Sequence, residues 1–178
     1  MFRAAGRTAA NDVDQDESDA NNGSMSAAMY LLSPNFTLEE LLHSDTAKAQ
    51  GIINAPNWDI LVQLVLLTNN TLEGIRHVCG DNPVLVSSGY RNEDLNDAVG
   101  GAQNSAHLYG CAADFTIPNF GSPIDVCNAV APYLAELEID QLIHENGTWV
   151  HVGRVGFGQV PRQECLTINS SGTYSGFV

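Results

Sequence analysis

The chain has 178 residues, 44% of them hydrophobic, and a formal net charge of −14 from 21 acidic against 7 basic side chains. That length suits one domain with a proper core and is too short for two comfortable ones. A chain this acidic offers no basic patch to neutralise phosphates or to meet an anionic lipid surface, so nucleic acid and membrane are excluded as partners. After residue 20 the only fixed cations are Lys48, Arg76, Arg91, Arg154 and Arg162. Cations this scarce tend to have a task.

Residues 1–33 read as a separate acidic arm. Asn11 to Ser26 is rich in Asp, Asn, Ser and Gly without apolar periodicity, which is the composition of a flexible segment. Met1 to Ala20 has no apolar run of the signal-peptide kind, and no stretch nears the roughly 20 apolar residues of a membrane helix. A globular domain is expected over residues 34–170, with a short Ser/Gly-rich tail over 171–178.

Within that domain Thr37 is placed to cap a short helix over Leu38–Leu42, with Glu40 at the capping-box position and His43-Ser44-Asp45 as its stop. Trp58 to Val78 is the longest helical pattern, its apolar residues recurring at three- and four-residue steps, with Asn69-Asn70 as a kink or split. Gly80-Asp81-Asn82-Pro83 predicts a turn into a strand over Val84–Ser88, which delivers Arg91 at its end. Gly110 predicts a turn between His107 and a strand over Ala112–Ile117. A second helix is expected over Ile124–Leu137, with Pro123 in its first turn. Strands over Gln141–His144 and Thr148–Val152 are joined at Asn146-Gly147, a favoured hairpin dipeptide. A last strand covers Glu164–Ile168. The order is α+β, with helices packed on one face of a small antiparallel sheet and the other face open.

The four cysteines, Cys79, Cys111, Cys127 and Cys165, form no CxxC pair and so no structural zinc knuckle. They read as reduced, buried thiols, although an even count also permits two disulfides. His107 and Asp114 lie seven residues apart across the Gly110 turn, and His151 sits in the alternating Trp149-Val150-His151-Val152 run. Two imidazoles and one carboxylate are a common three-ligand set for a catalytic zinc, which keeps a fourth position for water. Taken singly, each is equally the satisfied polar residue of an ordinary core.

The blocks around them carry more. Ser88-Gly89-Tyr90-Arg91-Asn92, Val99-Gly100-Gly101-Ala102, the run Asn104 to Phe115, Asp140-Gln141-Leu142-Ile143, Glu145 and Trp149-Val150-His151-Val152 follow in that order. This series resembles the zinc D-alanyl-D-alanine carboxypeptidases and L-alanyl-D-glutamate endopeptidases, a group that includes the VanX dipeptidases and is related to lysostaphin-like enzymes. The resemblance covers about residues 34–168. It implies the fold shared by these peptidases and Hedgehog-type domains, a Zn²⁺ cofactor held by His107, Asp114 and His151, and a peptidoglycan stem peptide as substrate. It also implies that Arg91 stabilises the oxyanion, although an arginine at this point equally anchors the Asp94–Asp97 loop.

In several relatives the catalytic base lies three residues before the last His; here that position is Thr148, which cannot serve. Glu145 is the candidate base and Asp140 its rival, the latter also able to support a ligand from behind. Tyr90, Ser105 and His144 are candidate substrate or supporting contacts. Cys111 stands where relatives more often carry a polar residue. The resemblance further suggests a phage-encoded or otherwise wall-lytic enzyme, acting on the cell wall or carried in the virion, with phage-particle proteins as partners of residues 1–33, or else a cytoplasmic one. The competing expectation is a non-catalytic structural or wall-binding module on the same fold.

Overall fold

The computed structural model describes residues 30–156 and 158–178. All but the last four residues of the expected acidic arm lie outside the described residues.

Leu31–Ser33 (β1) and Phe36–Thr37 (β2) form a hairpin that leads straight into Leu38–Leu42 (α1). The expected domain start near Pro34 therefore falls inside an ordered hairpin. The Thr37 hydroxyl accepts from the Glu40 N–H at 3.2 Å, and the Glu40 carboxylate accepts from the Thr37 N–H at 2.9 Å, which completes the capping box. His43-Ser44-Asp45 does stop α1, but Ser44 then caps a second helix, Asp45–Gln50 (α2), by accepting from the Ala47 N–H. A capping residue marks a start as readily as a stop.

The long helical pattern is continuous but not uniform. Trp58–Leu66 (α3) passes through a π-helical stretch, Leu67–Leu72, into Glu73–Val78 (α4). The widened turn lies where Asn69-Asn70 interrupts the apolar period. It lets Asn69 Nδ2 donate to the Leu32 carbonyl and Thr71 Oγ1 to the Leu137 carbonyl, tying both flanking segments to the helix. Pro123–Val130 (α6) is shorter than expected. Pro132 has no N–H to continue the ladder, so the chain tightens into a 3₁₀ turn over Ala131–Tyr133. Glu93–Ala98 (α5), capped by Asn92, was not expected at all.

Six strands form the main sheet: Leu85–Ser88 (β3), Ala112–Thr116 (β4), Ile139–Glu145 (β5), Trp149–Arg154 (β6), Glu164–Asn169 (β7) and Gly172–Ser175 (β8). Their spatial order is β3-β4-β6-β5-β7-β8. The sheet is mixed rather than purely antiparallel, because β7 crosses to the far side of β5 and runs parallel to it. The expected C-terminal tail is β8, an edge strand paired with β7. At the β5–β6 turn Asn146 and Gly147 both take positive φ, and the Thr148 N–H donates to the Glu145 carbonyl at 3.0 Å.

Strand alternation divides the sheet into two faces. Ala113 and Phe115 of β4, Val150 and Val152 of β6 and Leu142 of β5 point to one face. There they pack on Leu64 and Ile75 from the long helical run and on Val126 and Val130 from α6. Phe115 is 0% exposed, and truncating such a side chain to Ala costs about 3–5 kcal/mol. The intervening residues, Asp114, His151 and Glu145, point to the opposite face, with α2 and α5 near its rim. The fold is α+β with its larger helices on one face and its chemistry on the other. No helix among the described residues is long and apolar enough to cross a membrane.

Candidate metal centre

Asp114 and His151 are register partners across β4 and β6, so the sheet itself sets their side chains next to each other. His107 arrives from a 3₁₀ turn, Ala106–Tyr109, whose first hydroxyl, Ser105 Oγ, accepts from the His107 N–H. Gly110 closes that turn at φ +67°, a conformation that favours glycine. The three side chains converge. His107 Nε2 lies 3.2 Å from Asp114 Oδ1 and 3.3 Å from His151 Nδ1, and His151 Nδ1 lies 2.7 Å from Asp114 Oδ1.

The tautomer of His107 follows from its other nitrogen. Nδ1 lies 2.6 Å from the Gly89 carbonyl, which can only accept, so Nδ1 carries the proton and Nε2 presents a lone pair. Two ring nitrogens and a carboxylate oxygen thus face one small space, with the two His107 separations close to those a tetrahedral ion imposes and the His151–Asp114 pair closer, at a hydrogen-bond distance. Zinc bonds of about 2.0–2.1 Å put neighbouring ligands about 3.3 Å apart. Among the described residues these three form the one such His/Cys/Asp/Glu group. The donor set fits zinc.

Charge and burial agree. His107 is 2% exposed, and burial drives its imidazole below the ordinary value, against the pull of Asp114, which keeps it neutral and able to ligate. Burial also pushes the Asp114 carboxyl up, but hydrogen bonds and charge from His107 and His151 hold it well below the usual carboxylate range.

These groups line a cleft of about 770 Å³ together with Arg91, Ser105, Glu145 and Trp149. Glu145 is the one acid at that end of β5. Burial first, and the Asp114 charge second, raise its carboxyl above the ordinary value. Arg91 does not anchor the Asp94–Asp97 loop. Its Nη2 donates to Asp114 Oδ2 at 2.8 Å and its Nε to Ser88 Oγ at 2.9 Å, so it braces the carboxylate from the side away from the imidazoles.

Three sequence candidates sit elsewhere. Asp140 is paired with Arg162, which contacts both its oxygens, and lines a different cleft. His144 neighbours Glu145 in β5 and so projects to the opposite face. Tyr90 is buried in the core and borders a separate acidic hollow with Glu93. Cys111 lies outside the metal-ligating group, its Sγ 3.5 Å from Gln63 Oε1. All four cysteines are free thiols.

Some cleft residues were missed. His43, Ser44 and Asp45 line it from the start of α2, and Trp149 lines it beside Glu145. The Gly89 carbonyl was also missed, since no sequence pattern marks a backbone acceptor.

Residues 34–153 match the family model described as Peptidase M15. The chain belongs to the peptidase M15 family. All three candidate ligands, Arg91 and Glu145 fall inside the matched segment. The chain is also similar to a zinc D-Ala-D-Ala carboxypeptidase of Streptomyces albus G, at 39% identity over 80 residues, which is 45% of this chain. It spans 30% of that relative's length.

Proposed function

We propose that this M15 chain is a zinc metallopeptidase that hydrolyses the stem peptides of peptidoglycan, either at a terminal D-Ala or at an internal bond of the L-Ala–D-Glu type. The observation that carries the reading is the convergence of His107, Asp114 and His151 in a cleft that also holds one raised carboxylate, Glu145. The similarity to a zinc D-Ala-D-Ala carboxypeptidase supports the substrate class. The finer fold label, that of the D-Ala-D-Ala peptidases and Hedgehog-type domains, belongs to the same proposal. A wall-lytic, phage-encoded setting rests on the sequence resemblance alone.

His107, Asp114 and His151 would hold the ion, which when bound would supply a Lewis acid for the scissile carbonyl and for the attacking water. Glu145 takes a proton from the attacking water and passes it to the departing amine, so that OH ends on the acyl carbon and H on nitrogen. A base held above the ordinary carboxylate range is better matched to that task near neutral pH. Arg91 fixes Asp114, and its N–H groups that do not bond Asp114 or Ser88 are assigned here to the oxyanion.

The test is digestion of purified sacculi and a synthetic pentapeptide by zinc-loaded protein, with products read by mass spectrometry. Chelated protein and Glu145→Gln run in parallel. Release of D-Ala, or a new internal amino terminus, lost in both controls, is the expected result. Zinc binding without cleavage of either substrate would favour a non-catalytic wall-binding module.

A further inference from the structure

The zinc-peptidase reading leaves open whether the enzyme trims a chain end or cuts within a chain, and the surroundings of the metal centre bear on that choice. An enzyme that removes a terminal residue closes its groove just past the scissile bond and captures the terminal carboxylate with a cation, because a buried anion needs a charged or multiply donating partner. The described residues show neither a closed end to the groove nor an arginine beside it without an acidic partner.

The groove continues on both sides of the ligands. In one direction the 770 Å³ cleft shares His43 and Val86 with a further hollow of about 540 Å³ bordered by α1 and the β1–β2 hairpin. In the other it shares Ala102, Ser105 and His151 with a second cleft of about 680 Å³ that reaches Arg154 and Arg162. His107, Asp114 and His151 thus stand midway along a trough, not at its end.

No arginine near the ligands is without an acidic partner, so a terminal carboxylate would have to share a guanidinium with a carboxylate already bound to it. Each arginine among the described residues is already paired: Arg76 with Asp81, Arg91 with Asp114, Arg154 with Glu138, and Arg162 with Asp140 and Glu164. Lys48 is exposed on α2 and lines neither cleft.

What the trough offers instead is backbone. β3 is an edge strand of the sheet, and among the described residues no main-chain group of Leu85–Ser88 bonds outside its ladder with β4. Ser88 is in register with Asp114, and Val86 lies where the central cleft meets the outer hollow. The strand therefore runs from the metal centre outward for about 10 Å, at roughly 3.3 Å per residue, the span of three residues of an extended peptide. A free strand edge recognises such a peptide through main-chain hydrogen bonds and needs no terminus.

We propose that this chain is an endopeptidase: its substrate is an extended peptide that continues on both sides of the scissile bond, pairs along the β3 edge on one side and enters the cleft beyond His151 on the other. The inference rests on the zinc-peptidase reading above.

The test uses zinc-loaded full-length protein and three versions of one stem peptide: the free C-terminal acid, its C-terminal amide, and the peptide extended by two residues at each end. Cleavage is located by mass spectrometry and kcat/KM is measured for each. The expected result is a cut inside the chain, with the amide within threefold of the acid and the extended peptide at least tenfold better. Removal of a single C-terminal residue from the acid, with amidation or extension lowering kcat/KM by tenfold or more, would overturn the endopeptidase assignment and leave the peptidase. Failure to cleave any of the three by protein that binds zinc overturns the peptidase reading itself.

Discussion

Gly89 sits two residues before Arg91, and its carbonyl decides which nitrogen of His107 faces the metal. A methyl group added at its Cα would lie 2.8 Å from the Leu41 Cα and closer still to the Leu41 carbonyl oxygen. Both are backbone atoms of α1, and the neighbouring Tyr90 N–H donates to that same Leu41 carbonyl at 2.8 Å, so α1 cannot retreat without breaking the bond. Gly89→Ala must then move the 88–90 segment, and with it the acceptor that holds His107 Nδ1 at 2.6 Å. Loss of such an outer partner weakens metal affinity about 10–100-fold, or roughly 1.4–2.8 kcal/mol. The assay is competition for zinc against a chromophoric chelator, with circular dichroism and a melting curve to show that the variant is folded. A folded Gly89→Ala protein with zinc affinity within twofold of the parent would refute the argument that this carbonyl orients the ligand.

Three other predictions follow from the geometry. Glu145→Gln should keep its zinc, measured by the same competition, while peptide hydrolysis falls about 10²–10⁴-fold, the usual contribution of a positioned base; retention of more than a tenth of the activity would assign the proton transfer elsewhere. Burial pushes the Cys127 thiol up to about 12 and Cys79 up to about 11, from an ordinary 9.0. The unfolded chain therefore loses these protons first, and stability that is complete below pH 9 should decline as pH rises toward 12, by at most about 4 kcal/mol for Cys127. Urea midpoints at pH 8 and 10.5 should show a smaller decline for Cys127→Val than for the parent, and equal declines would contradict the assignment. Finally, the Glu73 carboxylate accepts from Ser33 Oγ, the Asn35 N–H and Asn35 Nδ2 at 2.7–2.9 Å, pinning the β1–β2 hairpin to α4. Glu73→Ala should cost about 1–3 kcal/mol in urea titration, and no change would mean that the hairpin is held by its other contacts.

What could be read from the sequence was what local chemistry dictates. Thr37 with Glu40, Pro123 and Asn146-Gly147 act within four residues, so the two starts and the turn that they mark appeared where expected, although the helix begun at Pro123 stops early, at Val130. The alternation around His151 placed it on a strand, and the Gly110 turn separated His107 from Asp114 as the structure does. Short helices escaped because α2 and α5, each six residues, are too brief to show an apolar period. Their N-caps, Ser44 and Asn92, lie in polar clusters that read as turns. Pro132 was overlooked inside an otherwise helical pattern. Long-range pairing was the other blind spot: nothing in Glu164–Asn169 announces that β7 runs parallel to β5. Neither does the composition of Arg91 or Asp140 reveal a partner, Asp114 or Arg162, that lies more than 20 residues away in sequence. His144 shows a nearer limit, since its neighbourhood to Glu145 suggested a shared site while strand alternation sends the two apart.

The cross-strand pairing of Asp114 with His151 also makes the metal a proofreader of folding. Sliding β4 by one residue against β6 would turn Asp114 from the open face into the helix-packed one and push Phe115 out into water, while His151 stayed on the open face without its carboxylate. A chain caught in that register would expose its core and bind no ion, so zinc in solution would draw the population only toward the correctly paired sheet.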